Sequence, residues 1–198
     1  MVEPLDTPKP GMSPFKKGTL ASIVGLATAS LVLVQVPAEE SGRTVSARIA
    51  PDGVATITHV AGPQYLRVYL DLVGKATACD GLTGAGIAPG KSFTETQCAI
   101  MLESRLADTA QHVMDCTPGL ALTIPNRDNV RGAAVSLAYN VGWLTYCRST
   151  MRRQINAGHI AASCTSLTWF NKAGGRVVAG LVNRRSREKA LCLKDAAA

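Results

Sequence analysis

The sequence predicts an α+β protein in which a small, turn-rich β region precedes a mostly helical one. Three observations predict it. Residues 43–60 alternate apolar and polar side chains with a turn in the middle, residues 65–90 are short apolar stretches broken by glycines, and from Thr94 onward apolar residues recur at helical spacing. Strands come first and helices follow, which is the α+β order rather than the α/β one.

Each element has its own signal. Val45, Ala47 and Ile49 fall on one face of a strand, Pro51-Asp52-Gly53 reads as a turn, and Ala55, Ile57 and His59 share a face of the returning strand. Gly74, Gly81, Gly84, Gly86 and Gly90 then punctuate a small irregular sheet. Thr94-Glu95-Thr96-Gln97 fits a capping box opening a helix with Cys98, Met101, Leu102 and Leu106 inward, ending before Pro118-Gly119. Asn126 or Asp128 caps a second helix and Ser149 a short third. A fourth runs from about Ile160 to Phe170, and a last one from about Val177 to Leu193, with Leu181 and Leu191 inward and a basic outer face.

The chain has 198 residues, enough for one core plus a targeting segment. Apolar residues at 46% and charged ones at 18% exclude disorder by composition, and the net charge of +7 favours anionic partners. Nucleic acid is not expected among them, because there is no zinc-finger spacing, aromatic RNA motif or dense basic stripe. Six cysteines at 79, 98, 116, 147, 164 and 192 form no CxxC pair. Dispersed and even in number, they predict three disulfides in an oxidising compartment rather than a metal site. Neighbourhood along the chain suggests Cys79–Cys98, Cys164–Cys192 and Cys116–Cys147.

Residues 18–36 carry no charge, follow Lys16 and Lys17, and precede Pro37, Glu39 and Glu40. Nineteen helical residues are about 28 Å long, close to a bilayer's hydrocarbon thickness. The basic flank keeps the N-side in the cytoplasm, so the remainder is exported. Glycine, alanine, serine and threonine make this a weak anchor; a cleaved signal peptide, a stable anchor and a buried helix are the alternatives. The expected organisation is an N-terminal extension and basic flank over 1–17, a signal-anchor helix over 18–37, a linker and β-hairpin over 38–60, and the main domain over 61–198.

The stretch YLRVYLDLVGKATACDGLTGAGIAPGKSFTETQC, from Tyr65 to Cys98, resembles the opening of phage-type lysozymes, in particular the endolysins exported on a signal-arrest-release segment. Tyr69, Asp71, Gly74 and Thr77 fit the family's Tyr-x-Asp-x-x-Gly-x-x-Thr pattern, and Pro89, Gly90, Thr94 and Cys98 continue it. SLAYNVG (136–142), STMRRQINAG (149–158), Trp169 and AGGRVVAGLVNRRSREKALC (173–192) follow in the family's order. The resemblance implies a lysozyme-like fold, with a small β-lobe and a mainly helical lobe, behind an N-terminal apolar helix and an extra β-hairpin. It implies hydrolysis of the β-1,4 bond between N-acetylmuramic acid and N-acetylglucosamine in peptidoglycan, causing host-cell lysis. The expected enzyme is a monomer, needs no cofactor or metal, and works in the periplasm with residues 18–36 in the inner membrane or released from it.

Glycoside cleavage needs an acid for the leaving oxygen and a second group that handles water. The resemblance assigns Asp71 to the second role, with Thr77 positioning the water. The acid is expected nine residues before Asp71, where Gly62 stands, or Ala61 with a one-residue slip; no glutamate occurs between 41 and 94. The family's histidine position holds Leu82. Two readings follow. Asp80, which shares a strand face with position 82, or His59 serves as a relocated acid. Alternatively the fold persists as an inactive wall-binding or regulatory module, with Arg176, Arg184, Arg185 and Arg187 facing anionic polymer.

Overall fold

A computed structural model describes residues 16–71 and 74–196. The expected hairpin forms from β1 (Thr44–Ile49) and β2 (Ala55–Ala61), antiparallel, with Val45 opposite His59, Ala47 opposite Ile57 and Ile49 opposite Ala55. Gly53 takes a positive φ of 87° at the turn, which a residue without Cβ adopts freely. Val45 and Ile57 are buried in the main core, so the apolar stripe lies on the predicted face. The small lobe holds β3 (Tyr69–Leu70) and β4 (Ala76–Thr77), again antiparallel. A second apolar cluster of Val68, Ala78, Cys79, Leu82 and Cys98 fills it.

Helix α3 (Glu95–Cys116) opens on the predicted capping box: the Gln97 amide donates to the Thr94 hydroxyl, and the Thr94 amide to the Gln97 side chain. The central helix α4 (Asp128–Val141) is apolar nearly all round and is enclosed by its neighbours. Neither Asn126 nor Asp128 caps it. Asp195, far along the chain, accepts from the Val130 amide (2.9 Å) instead. A short α5 (Trp143–Cys147) precedes α6 (Thr150–Asn156), which Ser149 caps as expected, and α7 (Ile160–Ser166) runs into a 3-10 turn. A small hairpin, β5 (Lys172–Ala173) with β6 (Arg176–Val177), leads to α8 (Ala179–Cys192). The three disulfides are Cys79–Cys98, Cys116–Cys147 and Cys164–Cys192, as expected.

Two expectations are corrected. The apolar stretch 18–36 is not one long helix. It breaks at Gly25 (φ 84°, ψ 158°) into α1 (Leu20–Val24) and α2 (Leu26–Glu40). No helix among the described residues is long and apolar enough to cross a membrane. Leu20, Val24, Ala29, Val32, Leu33 and Val36 instead join the same core as Leu102, Leu106, Ala134 and Leu137. Second, the last helix turns two of its arginines inward, while Arg187 stays exposed. Arg184, Arg185, Glu188 and Cys192 are its buried residues. A carboxylate between two guanidinium groups lets all three be buried together, which charge counting along the helix does not reveal.

Candidate active site

The hairpin places a residue that sequence spacing hides. Residue 62 returns to the base of the hairpin so tightly that a Cβ on Gly62 would lie 2.8 Å from the Gly42 carbonyl oxygen and 2.9 Å from the Arg43 Cα. Gly62 and Gly42 are therefore neighbours in space, with residues 43–61 looped out between them. The position expected to hold the acid sits beside the end of α2, and that end carries Glu40.

Glu40 has a built setting. Its Oε1 accepts from Arg184 Nη1 at 2.7 Å, and its side chain is 16% exposed. Its Oε2 faces the turn at Gly81, where an added Cβ would come within 2.9 Å of it. Arg184 also reaches Glu188 Oε1 at 3.1 Å. Burial opposes its charge, but Glu40 and Glu188 outweigh that and hold its pKa above the ordinary guanidinium value. Glu188 is fully enclosed; desolvation raises its pKa although Arg185 and Arg184 pull the other way. Glu39, one residue earlier, accepts two hydrogen bonds from Arg187 (2.8 and 2.6 Å). The end of α2 is thus bound to α8 by consecutive carboxylates.

Asp71 follows β3 directly. Its amide donates to the Lys75 carbonyl (3.0 Å), and its Oδ1 accepts from the Lys75 amide (2.8 Å). The carboxylate is therefore fixed by the turn it closes. Thr77 is buried opposite Tyr69, and its hydroxyl donates to the same Lys75 carbonyl (3.0 Å). Asp71 and Thr77 are brought together around one peptide group. Burial raises the pKa of the Tyr69 phenol, and Tyr65, Asp71 and Glu40 add to that in decreasing order.

The other sequence candidates have different settings. Asp80 is fully buried and gripped by Arg43, with Nε on Oδ1 and Nη2 on Oδ2, both 2.7 Å. A carboxylate enclosed this way has no path to a glycosidic oxygen, so the structure does not support it as the relocated acid. His59 lies on β2, where its amide donates to Glu95 (2.6 Å). Leu82 fills the small apolar cluster. Sequence spacing missed Glu40 because it counted residues through a hairpin. The available signal was Glu40-Ser41-Gly42 followed by a self-closing strand–turn–strand, whose two ends must meet. Among the described residues no group of histidine, cysteine, aspartate and glutamate could hold a metal ion. A separate open concavity of about 600 Å³ is lined by Thr19, Val54, Glu103, Asp108 and Gln111 and lies away from Glu40, Asp71 and Thr77.

A small β-lobe against a helical lobe, with a glutamate at a helix end between them and a turn-bound aspartate on the β-lobe, is the architecture of the lysozyme-like glycoside hydrolases. Residues 62–188 match the Phage lysozyme family, and the chain belongs to that family. The match begins on the far side of the hairpin from Glu40. The chain is 39% identical over 125 residues to the SAR-endolysin of Bacteriophage PS119, covering 63% of this chain and 72% of that one. Its likeness to the SAR-endolysin of Enterobacteria phage P21 is the same, with 73% of that protein covered. Among solved structures, the active form of the P1 phage endolysin Lyz superposes with a TM-score of 0.63 at 20% identity, over 88% of this chain and 86% of that one, a likeness of fold.

Proposed function

We propose that the protein is a muramidase that hydrolyses the β-1,4 bond between N-acetylmuramic acid and N-acetylglucosamine, with Glu40 as general acid, Asp71 as second carboxylate and Thr77 as water positioner. The observation that carries this reading is Glu40 at the lobe junction, held by Arg184 through one oxygen and turned to the β-lobe with the other. Glu40 Oε2 gives its proton to the glycosidic oxygen as the bond to the anomeric carbon breaks. Water adds to that carbon and passes a proton to Asp71. Because the Thr77 hydroxyl proton is committed to Lys75, its oxygen is an acceptor. It therefore orients a water by taking one of its hydrogens.

The same reading covers location and partners. The chain is exported to the periplasm and acts on peptidoglycan as a monomer, without nucleic acid, and residues 18–36 lie in the inner membrane until they leave it. Support comes from their charge-free run behind Lys16 and Lys17 and from the relatives' description as SAR-endolysins. A segment lying in a bilayer cannot also place Val32 and Val36 in this core, so Glu40 reaches Asp71 only after release.

The test is a muropeptide digest with purified wild type, Glu40→Gln and Asp71→Asn. Wild type generates new reducing ends. Glu40→Gln, nearly isosteric, is expected to lose a factor of roughly 10² or more at a temperature where circular dichroism shows it folded. A folded Glu40→Gln variant with wild-type turnover refutes the assignment. Wall binding without new reducing ends from wild type would favour the inactive module.

A further inference from the structure

Asp80 has no part in the chemistry above, yet it is fully buried and paired with Arg43, which is 5% exposed. A buried ion pair contributes little net stability over apolar packing, so geometric specificity is the better account of one. The contacts indicate which geometry. Arg43 grips Asp80 with two parallel hydrogen bonds, a fork that fixes orientation as well as distance. The Ser41 hydroxyl lies 2.8 Å from Asp80 Oδ1 and 2.9 Å from the Pro37 carbonyl on the last turn of α2. The backbone carbonyl of Asp80 accepts from the Tyr139 hydroxyl of α4 at 2.9 Å. Ser41 follows Glu40 directly and Arg43 comes two residues later, while Gly81, against which Glu40 rests, follows Asp80. The turn is itself held by the Cys79–Cys98 disulfide and by paired Ala78 and Leu82.

We infer that Asp80 and Arg43 form a positioning pair that fixes the end of α2 against the β-lobe turn and so sets where Glu40 meets its substrate. The inference rests on Glu40 being the general acid. Misplacement of a reacting group by about 1 Å costs on the order of 10²-fold in rate. Loosening the latch therefore lowers turnover while the glycan-binding surface is kept.

The experiment measures kcat and KM on a soluble peptidoglycan fragment. It uses the full chain with its disulfides intact, at a temperature where each variant is folded by circular dichroism. Asp80→Asn and Arg43→Gln are expected to lower kcat about tenfold or more with KM within about twofold. The double variant should be no slower than the worse single one, because the pair acts as a unit. Arg43→Lys should recover part of the loss, since it restores the charge without the fork. Tyr139→Phe removes only the bond to the Asp80 carbonyl and decides the matter if Asp80→Asn fails to fold; it too should lower kcat and leave KM. Glu40→Gln separates the two ideas. Wild-type kcat in that variant sinks the acid assignment and the latch together. An inactive Glu40→Gln beside folded Asp80→Asn and Tyr139→Phe with wild-type kcat overturns the latch alone. Equal loss in kcat and gain in KM would also overturn it, as the mark of general destabilisation.

Discussion

Arg184→Met is the most informative single perturbation, because one guanidinium serves both the site and the core. The residue is 4% exposed and pairs with Glu40 at 2.7 Å and Glu188 at 3.1 Å, with a further bond to the Ser136 carbonyl at 3.3 Å. Methionine keeps much of the volume but leaves two carboxylates without that cation. Breaking one buried pair costs about 3–5 kcal/mol. The lower end applies here, because Glu40 retains some solvent and Glu188 keeps Arg185 at 3.0 Å. A loss of about 3 kcal/mol lowers the midpoint of a chain this size by roughly 6–12 °C. The functional effect is separate. The Arg184 Nη1 bond at 2.7 Å fixes Glu40 Oε1, so without it the carboxyl loses its orientation and turnover falls by roughly tenfold or more. Scanning calorimetry and the rate of reducing-end release measure the two effects. A midpoint within about 2 °C of wild type together with wild-type turnover would refute the reasoning, since Arg184 would then carry neither carboxylate.

Three further outcomes follow from particular residues. Gly81→Ala puts a methyl 2.9 Å from Glu40 Oε2 at a φ of 74°, so turnover should fall well below wild type for a stability loss of about 1–2 kcal/mol; steady-state kinetics with urea unfolding checks both. Ala27 and Ser30 are exposed on α2. Ala27→Leu/Ser30→Leu leaves the core alone while each leucine adds roughly −0.5 kcal/mol to bilayer insertion. Membrane fractionation should show less released protein, and the purified soluble enzyme should keep wild-type activity. Glu95 accepts from the His59 amide, which lowers its pKa below the ordinary 4.5. A depressed carboxyl stabilises the fold above its unfolded pKa and loses that contribution as pH falls through the folded value. Glu95→Gln should therefore flatten the acid limb of midpoint against pH just below 4.5.

The legible parts of the fold were those set by local rules. The hairpin face of Val45, Ala47 and Ile49, the Thr94 capping box, the Ser149 cap and the disulfide neighbourhoods all depend on spacing within a few residues or on nearness along the chain. The rest depended on distant partners. Asp195 caps α4 from the far end of the chain, and Arg184 and Arg185 turn inward because Glu188, Glu40 and Asn140 receive them. The uninterrupted apolar run concealed the break at Gly25, since hydropathy does not register a positive φ. The nearness of Asp71 and Thr77, both proposed site residues, was readable because β3, β4 and their turn are contiguous. Glu40 was not, because the inserted hairpin separates sequence distance from spatial distance; Gly62 lies against Gly42 across the hairpin base.

The central claim is that the side chain at position 40 meets the glycosidic oxygen. A crystal structure of Glu40→Gln bound to a peptidoglycan oligosaccharide tests it most directly. The account predicts the scissile oxygen within about 3 Å of the amide at position 40, with Asp71 on the far face of the sugar ring. A glycan seated away from both residues, or with its scissile oxygen against a different carboxyl group, would contradict it.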